Sequence, residues 1–249
     1  MVYVQALQRV NSCPKNAHLF KLNRIVKWVR RVSYKTHYRP LQGKMKVLVV
    51  SDSAYRREDK AGHALRGGII CIAQDLPHSP GGTCHIIDMY SRKQRRVVRS
   101  TFSAEANSLI DACEIGKLLV LAITEVLSPI PLSAHDLLRM DERGTLLAEM
   151  HAVVDCKSVY DALTRKEIIA PTEQSLIMML LAIRELSNHS VLRTLWWVCT
   201  EDMIADGLGK GAVSRTPLLQ LAIQGMWIVK HQVAKHTEVF VPPEPNVVT

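Results

Sequence analysis

This sequence of 249 residues lacks three kinds of feature, and each absence argues against one class of protein. None of the six cysteines stands in a C-x-x-C pair, which favours reduced, buried thiols over disulfides or zinc ligands. The N-terminus has no uninterrupted apolar segment of the signal-peptide kind, and the longest apolar run, residues 176–183, is too short to cross a bilayer. We therefore expect a soluble, intracellular protein without a membrane partner, in the cytoplasm or the nucleus.

Acidic residues are absent from the first 51 positions, which hold eleven Lys or Arg residues. The whole net charge of +9 arises there, because the rest of the chain is nearly neutral. Such a segment commonly binds nucleic-acid phosphates, although a merely solvated face has the same composition.

Within this segment, residues 18–32 combine apolar residues at helical spacing with basic residues that include Lys27, Arg30 and Arg31. The pattern predicts a basic amphipathic helix. A membrane-surface helix has the same pattern, but nothing else in the chain supports a membrane. We therefore expect the helix to pack on a neighbouring domain with its basic side toward nucleic acid.

A short apolar run begins at Lys46, is rich in β-branched residues and ends on Asp52. It predicts a buried strand that delivers this carboxylate to the edge of a sheet. Leu48, Val50 and Asp52 share one face of the strand, because successive side chains point to opposite faces. The acid therefore continues a core stripe and needs a partner.

Three later acids occupy comparable places. Glu105 belongs to the apolar stripe of a long helix, although an acid in a first turn can simply complement the helix dipole. Asp155 ends a strand, where it can be a ligand or the N-cap of the next helix. Asp206 lies on a short helix that Thr200 or Asp202 can cap. Four converging acids suggest a metal site, because buried carboxylates repel one another unless a cation binds them.

The remaining periodicity predicts, in order, strands at 69–73 and 83–90, a helix over about 103–127, a strand at 151–154, helices at 157–164 and 172–186, and a strand at 192–199. This order indicates an α/β fold with a mixed five-stranded sheet flanked by helices. Five positive charges lie at positions 92–99, four of them on Arg92, Lys93, Arg95 and Arg96. Such a run is usually a solvated loop, but its position beside the proposed acidic site makes phosphate contact an equal alternative.

Four segments together resemble successive motifs of the ribonuclease H domain of copia-type retrotransposon polyproteins. They are residues 50–55 (VSDSAY), 91–94 leading to 103–106 (SRKQ and SAEA), 154–159 (VDCKSV) and 200–210 (TEDMIADGLGK). Residues 15–43, with His18 and the segment LNRIVKWV at 22–29, are similar to the end of the reverse transcriptase region that precedes that domain.

The resemblance implies three regions: a basic helical segment at 1–43, a ribonuclease H-like domain at 44–213, and a C-terminal helix with a disordered tail at 214–249. It implies an endonuclease in which Asp52, Glu105, Asp155 and Asp206 hold two Mg²⁺ ions, with Mn²⁺ as a substitute, and cleave the RNA strand of an RNA/DNA hybrid. The hybrid and the remainder of a retrotransposon polyprotein are the implied partners.

Some features depart from the family pattern. Gly209 replaces the usual threonine before Lys210, residues 127–150 form a long insertion, and His189 is the only histidine that we can relate to the assisting one of some relatives. The chain has no Asp-Asp pair of the polymerase kind, so it is not an intact reverse transcriptase. The alternatives are a catalytically degenerate remnant that binds nucleic acid or a protein partner, and an unrelated α/β domain.

Overall fold

A computed structural model of the protein shows a mixed α/β fold. It describes residues 11–31, 35–55, 64–94, 97–166, 175–210 and 213–237, together with residues 4, 7 and 8. The strands are β1 (Met45–Ala54), β2 (Leu65–Gln74), β3 (Gly82–Lys93), β4 (Met150–Val154), β5 (Leu192–Val198), β6 (Met226–Trp227) and β7 (Val233–His236). The helices are α1 (Asn16–Arg31), α2 (Thr101–Leu127), α3 (Ala134–Glu142), α4 (Lys157–Thr164), α5 (Ser175–Asn188), α6 (Asp206–Gly209) and α7 (Thr216–Gln224), and a 3₁₀ turn spans Thr200–Asp202.

The strands form one sheet in the order β6-β3-β2-β1-β4-β5-β7. The first three strands are antiparallel neighbours, whereas β4 and β5 run parallel to β1. All five predicted strands are present. The sheet nevertheless has seven strands and not the predicted five, because β6 pairs with β3 and β7 pairs with β5 at its two edges. These strands have two and four residues, too few for alternation to reveal them. Gly225, in the left-handed conformation, ends α7 and turns the chain into β6.

Two apolar layers cover the sheet. Val47 and Val49 face α2 in one layer, whereas Leu48 and Val50 belong to the other layer, which includes Leu208 of α6. A Cβ atom at Gly116 would overlap the side chains of Val49 and Met150, so α2 lies unusually close to the sheet at this point. This close approach holds the long helix along β1.

The insertion at 127–150 contains a helix that the periodicity did not predict. Ser133 and Asp136 form a reciprocal capping box at the start of α3, which is the local signal that could have identified it. The domain limits at 43 and 213 stay a prediction, and residues 238–249 of the expected tail lie outside the described residues.

Helix α1 forms where the pattern predicts it, but none of its residues is buried. Leu19, Phe20 and Val29 are each more than half exposed. The expected packing of this helix on a neighbouring domain is therefore not seen within the described part of the chain. Among the described helices, none is both long and apolar enough to span a bilayer.

Candidate metal centre

Three of the four predicted acids meet at the carboxyl ends of β1 and β4. One carboxylate oxygen from each of Asp52, Glu105 and Asp155 lies within 4.8 Å of the others. Asp52 and Glu105 are only 0% and 4% exposed, and Asp155 is half-buried. This acidic cluster could hold a metal ion.

Polar contacts fix the start of α2 against the end of β1. The Ser108 hydroxyl donates a hydrogen bond of 2.8 Å to the backbone carbonyl of Asp52. Gln94, which is buried, donates through Nε2 to the carbonyl of Ala104 at 2.7 Å. Glu105 therefore lies between two tethered positions. The helix begins at Thr101, so Glu105 is beyond its first turn and the helix-dipole interpretation does not apply.

Asp155 is oriented by the neighbouring strand. Thr200 donates through Oγ1 to Asp155 Oδ2 at 3.1 Å, and the Trp197 indole N–H donates to the Asp155 carbonyl at 2.8 Å. The residue that caps α4 is Cys156, which makes no side-chain capping bond. The N-cap alternative for Asp155 is therefore wrong. Its carboxylate is held instead by Thr200, a contact that the sequence pattern did not reveal.

Asp206 reaches the site through a lysine. Lys210 Nζ lies 2.9 Å from Asp52 Oδ1 and 2.5 Å from Asp206 Oδ1. Lys210 was not among the predicted site residues, although its spacing of four residues from Asp206 was a usable signal. Asp206 is 3% exposed and thus less exposed than the half-buried Asp155.

The short helix α6 also departs from the predicted capping. Its N-cap is Ala205, without a side-chain bond. Asp202 instead accepts hydrogen bonds from the backbone N–H groups of Lys230 and His231, at 3.0 and 2.8 Å. A Cβ atom at Gly209 would lie 3.4 Å from Asp52 Oδ2, so this glycine lets the backbone pass close to the acid.

The electrostatics of the site favour a bound cation. Burial raises the pKa of Asp52, and the Lys210 ammonium opposes that rise. Burial, and then the charges of Asp52 and Asp155, raises the pKa of Glu105. The pKa of Asp155 and that of Asp206 are also raised, mainly by burial. In addition, Asp52 Oδ2 is buried and receives no hydrogen bond from a described residue. An all-oxygen donor set with an unpaired buried oxygen fits a hard divalent ion.

The predicted nucleic-acid-binding residues are divided between two places. Arg92 and Lys93 are exposed at the end of β3. They lie at the same end of the sheet as the acids, because Asp52 pairs with Gly67 and Gly67 pairs with Ser91. Lys27, Arg30 and Arg31 are exposed on α1. Arg95 and Arg96 lie outside the described residues. His189, in contrast, lies just before β5, at the opposite end of the sheet from Asp155.

A second group of polar residues, of which His151 is buried and two acids are half-buried, occupies that opposite end. Atoms of Asp75, Glu149 and His151 also lie within 4.8 Å of one another. Here Lys44 Nζ is 2.7 Å from Glu149, and the buried Lys46 Nζ is 3.6 Å from Asp75. We call this group, with its two lysines, the lysine-matched end. Its ammonium groups oppose the binding of a cation.

The sequence has no significant match to any protein-family model or to any curated protein.

Proposed function

We propose that this chain is a ribonuclease H-type endonuclease of copia-like retrotransposon origin, which hydrolyses the RNA strand of RNA/DNA hybrids during reverse transcription. The observation that carries the proposal is the meeting of Asp52, Glu105 and Asp155 at one sheet edge, with Asp206 beside them. These acids belong to the four segments that resemble the family. Within the mixed α/β class, we propose that the fold is ribonuclease H-like.

The proposed cofactors are two Mg²⁺ ions, for which Mn²⁺ can substitute. Asp52, Glu105 and Asp155 would hold the first ion, because their oxygens are already close together. Divalent ions in such a site activate water and stabilise the leaving oxygen of an in-line displacement. Thr200 and Ser108 have the supporting role: the first fixes the Asp155 carboxylate, and the second fixes the backbone of Asp52.

Arg92 and Lys93 would bind the phosphates of the hybrid. Their exposure at the same edge as the acids favours this function over that of a solvated loop. The exposed basic residues Lys27, Arg30 and Arg31 of α1 would extend the contact. The uncovered apolar residues of the same helix suggest a protein partner, and we propose that this partner is the remainder of the polyprotein.

A cleavage assay tests the proposal directly. The purified chain is incubated with a hybrid whose RNA strand is end-labelled, with Mg²⁺ or with EDTA, beside duplex DNA and duplex RNA. We expect Mg²⁺-dependent internal cleavage of the RNA strand in the hybrid alone. Glu105→Gln should abolish cleavage, whereas Glu114→Gln, an exposed position on the same helix, should retain it. Cleavage that persists in EDTA or in Glu105→Gln would contradict the assignment.

The second candidate is a degenerate module that binds nucleic acid or protein without cleaving. It is favoured by Lys210, whose ammonium already neutralises part of the acidic charge. Hybrid binding with no cleavage in either Mg²⁺ or Mn²⁺ would select this alternative.

A further inference from the structure

Lys210 occupies a place that a cation would otherwise fill. Its Nζ atom bridges Asp52 Oδ1 and Asp206 Oδ1 at 2.9 and 2.5 Å, so a single positive charge is shared by two carboxylates. The lysine side chain is 29% exposed, so one side of it remains open to solvent. The ammonium can therefore leave the two acids without disrupting the core.

The geometry separates the four acids into two groups. The first group is the trio Asp52, Glu105 and Asp155, whose oxygens lie within 4.8 Å of one another. Asp206 is outside this trio, although its carboxyl group contacts that of Asp52, and it is held by the lysine four residues later. Asp52 belongs to both groups: Oδ1 accepts from Lys210, and Oδ2 is buried without a hydrogen bond from a described residue. One oxygen of Asp52 is thus free for an ion in the trio while the other is already paired.

We propose that Lys210 is a built-in cation that holds the position between Asp52 and Asp206, so that the substrate-free protein binds one divalent ion at the trio. A second ion binds at Asp52 and Asp206 only when Lys210 is displaced. The phosphate groups of a bound nucleic acid are the natural competitor for the displaced ammonium, because they offer it an alternative anionic partner. The inference rests on the metal site of the proposed function, but it concerns the number of ions and not the cleavage of RNA.

Counting bound Mn²⁺ on the intact protein tests this inference. Calorimetric titration and the signal of free Mn²⁺ in electron paramagnetic resonance give the number of sites without any substrate. We expect one ion in the wild type and in Lys210→Arg, which keeps the charge. We expect two ions in Lys210→Met, because removing the positive charge of the ammonium lowers the Coulomb energy of an ion bound a few ångströms away.

A second variant keeps the inference testable if Lys210→Met does not fold. Asp206→Asn removes the acid outside the trio, so it should bind one Mn²⁺ with wild-type affinity. Loss of that ion in Asp206→Asn would overturn the inference, as would a stoichiometry of one in a folded Lys210→Met protein or of two in the wild type. No Mn²⁺ bound by any variant would contradict both the inference and the metal site of the proposed function. Correct stoichiometries without hybrid cleavage would support the inference while contradicting the proposed nuclease.

Discussion

Both ends of the central strands hold clustered charged side chains, but acids are in excess at one end and are matched by lysines at the other. Among the described residues, Lys210 is the only lysine whose ammonium group contacts any of the four acids at the carboxyl ends of β1 and β4. We call this the acid-rich end. At the lysine-matched end, each of the two carboxylates has its own lysine. The comparison teaches that clustering of acids alone does not identify a metal site, because the lysine-matched end also brings three possible ligands together.

The ionisation of the two ends differs accordingly. At the acid-rich end, burial and mutual repulsion raise the pKa of Glu105, so a cation would relieve an existing cost. At the lysine-matched end, burial and then the charge of Lys46 lower the pKa of His151 to about 3, so the imidazole is neutral. The Trp196 indole N–H lies 3.4 Å from Nδ1 of this histidine. The first end therefore suits a metal ion, as the proposed function requires, whereas we expect a structural function for the second.

The largest expected effect distinguishes the two ends by activity. Asp52→Asn should reduce hybrid cleavage by at least about a hundredfold, because loss of a residue that only supports a metal ligand already costs 10–100-fold. Hybrid affinity should stay close to that of the wild type, since Arg92 and Lys93 are unchanged. Asp88→Asn, at an exposed position on β3, is the matched control. Cleavage rates and filter-binding affinities are measured together, and an equal loss of both would indicate a folding defect.

Substitutions at the lysine-matched end should instead change the stability of the folded protein. Lys46→Met leaves the half-buried Asp75 without its lysine, and we expect the free energy of unfolding to fall by about 1 to 2 kcal/mol in urea titrations, because the remaining carboxylate is still partly solvated. Lys44→Met removes an exposed ion pair, so it should cost no more than about 1 kcal/mol. Mn²⁺ should restore neither variant. Recovery of Lys46→Met on addition of Mn²⁺ would show that this end also binds a cation.

Much of the sheet could be predicted from the sequence because its central strands are continuous apolar runs. Strand alternation predicts Asp52 on the face of Leu48 and Val50. In the structure Asp52 contacts Lys210 and Gly209 beside α6, which packs on that same face. Helix α2 was also predictable, since its apolar stripe is long and Ser128 ends it at the expected place.

The features that could not be predicted from the sequence depend on contacts between residues distant in the chain. Thr200 bonds Asp155 across 45 positions and Lys210 bonds Asp52 across 158, so neither contact leaves a local pattern. The lysine-matched end was missed for the same reason. Strands β6 and β7 are short because they only extend existing edges, and periodicity cannot reveal elements of two and four residues.

An effect of similar size should appear in the response to acid. His151 is neutral in the folded protein, whereas in the unfolded chain it takes up a proton below about pH 6.5. Stability is therefore lost as the pH falls from about 6.5 toward 3. In the folded state three lysines disfavour protonation of the imidazole, whereas Asp75 favours it. The lysines are Lys46, Lys235 and Lys44.

His151→Gln removes this titration and keeps an acceptor for Trp196. Between pH 7 and pH 5, we expect the wild type to lose about 2 kcal/mol more unfolding free energy than the variant, since one pKa unit corresponds to about 1.4 kcal/mol. Urea titrations at both pH values measure the difference. Parallel pH profiles for the two proteins would show that His151 is charged in the fold or does not titrate in this range.

The smallest expected effect concerns the phosphate-binding residues beside the acid-rich end. Changing Arg92 and Lys93 together to Gln should weaken hybrid binding and reduce the slope of log affinity against log salt by about 1 to 2, since each phosphate contact contributes a little under one unit. Lys44→Gln removes a positive charge from the lysine-matched end, where we expect no phosphate, so its slope should equal that of the wild type. Deleting residues 1–43 measures the part that α1 contributes, and we expect a further decrease in slope because most of the positive excess is lost. If Lys44→Gln changes the slope as much as the double variant does, binding depends on the net charge of the chain and not on the sheet edge where Arg92 and Lys93 lie.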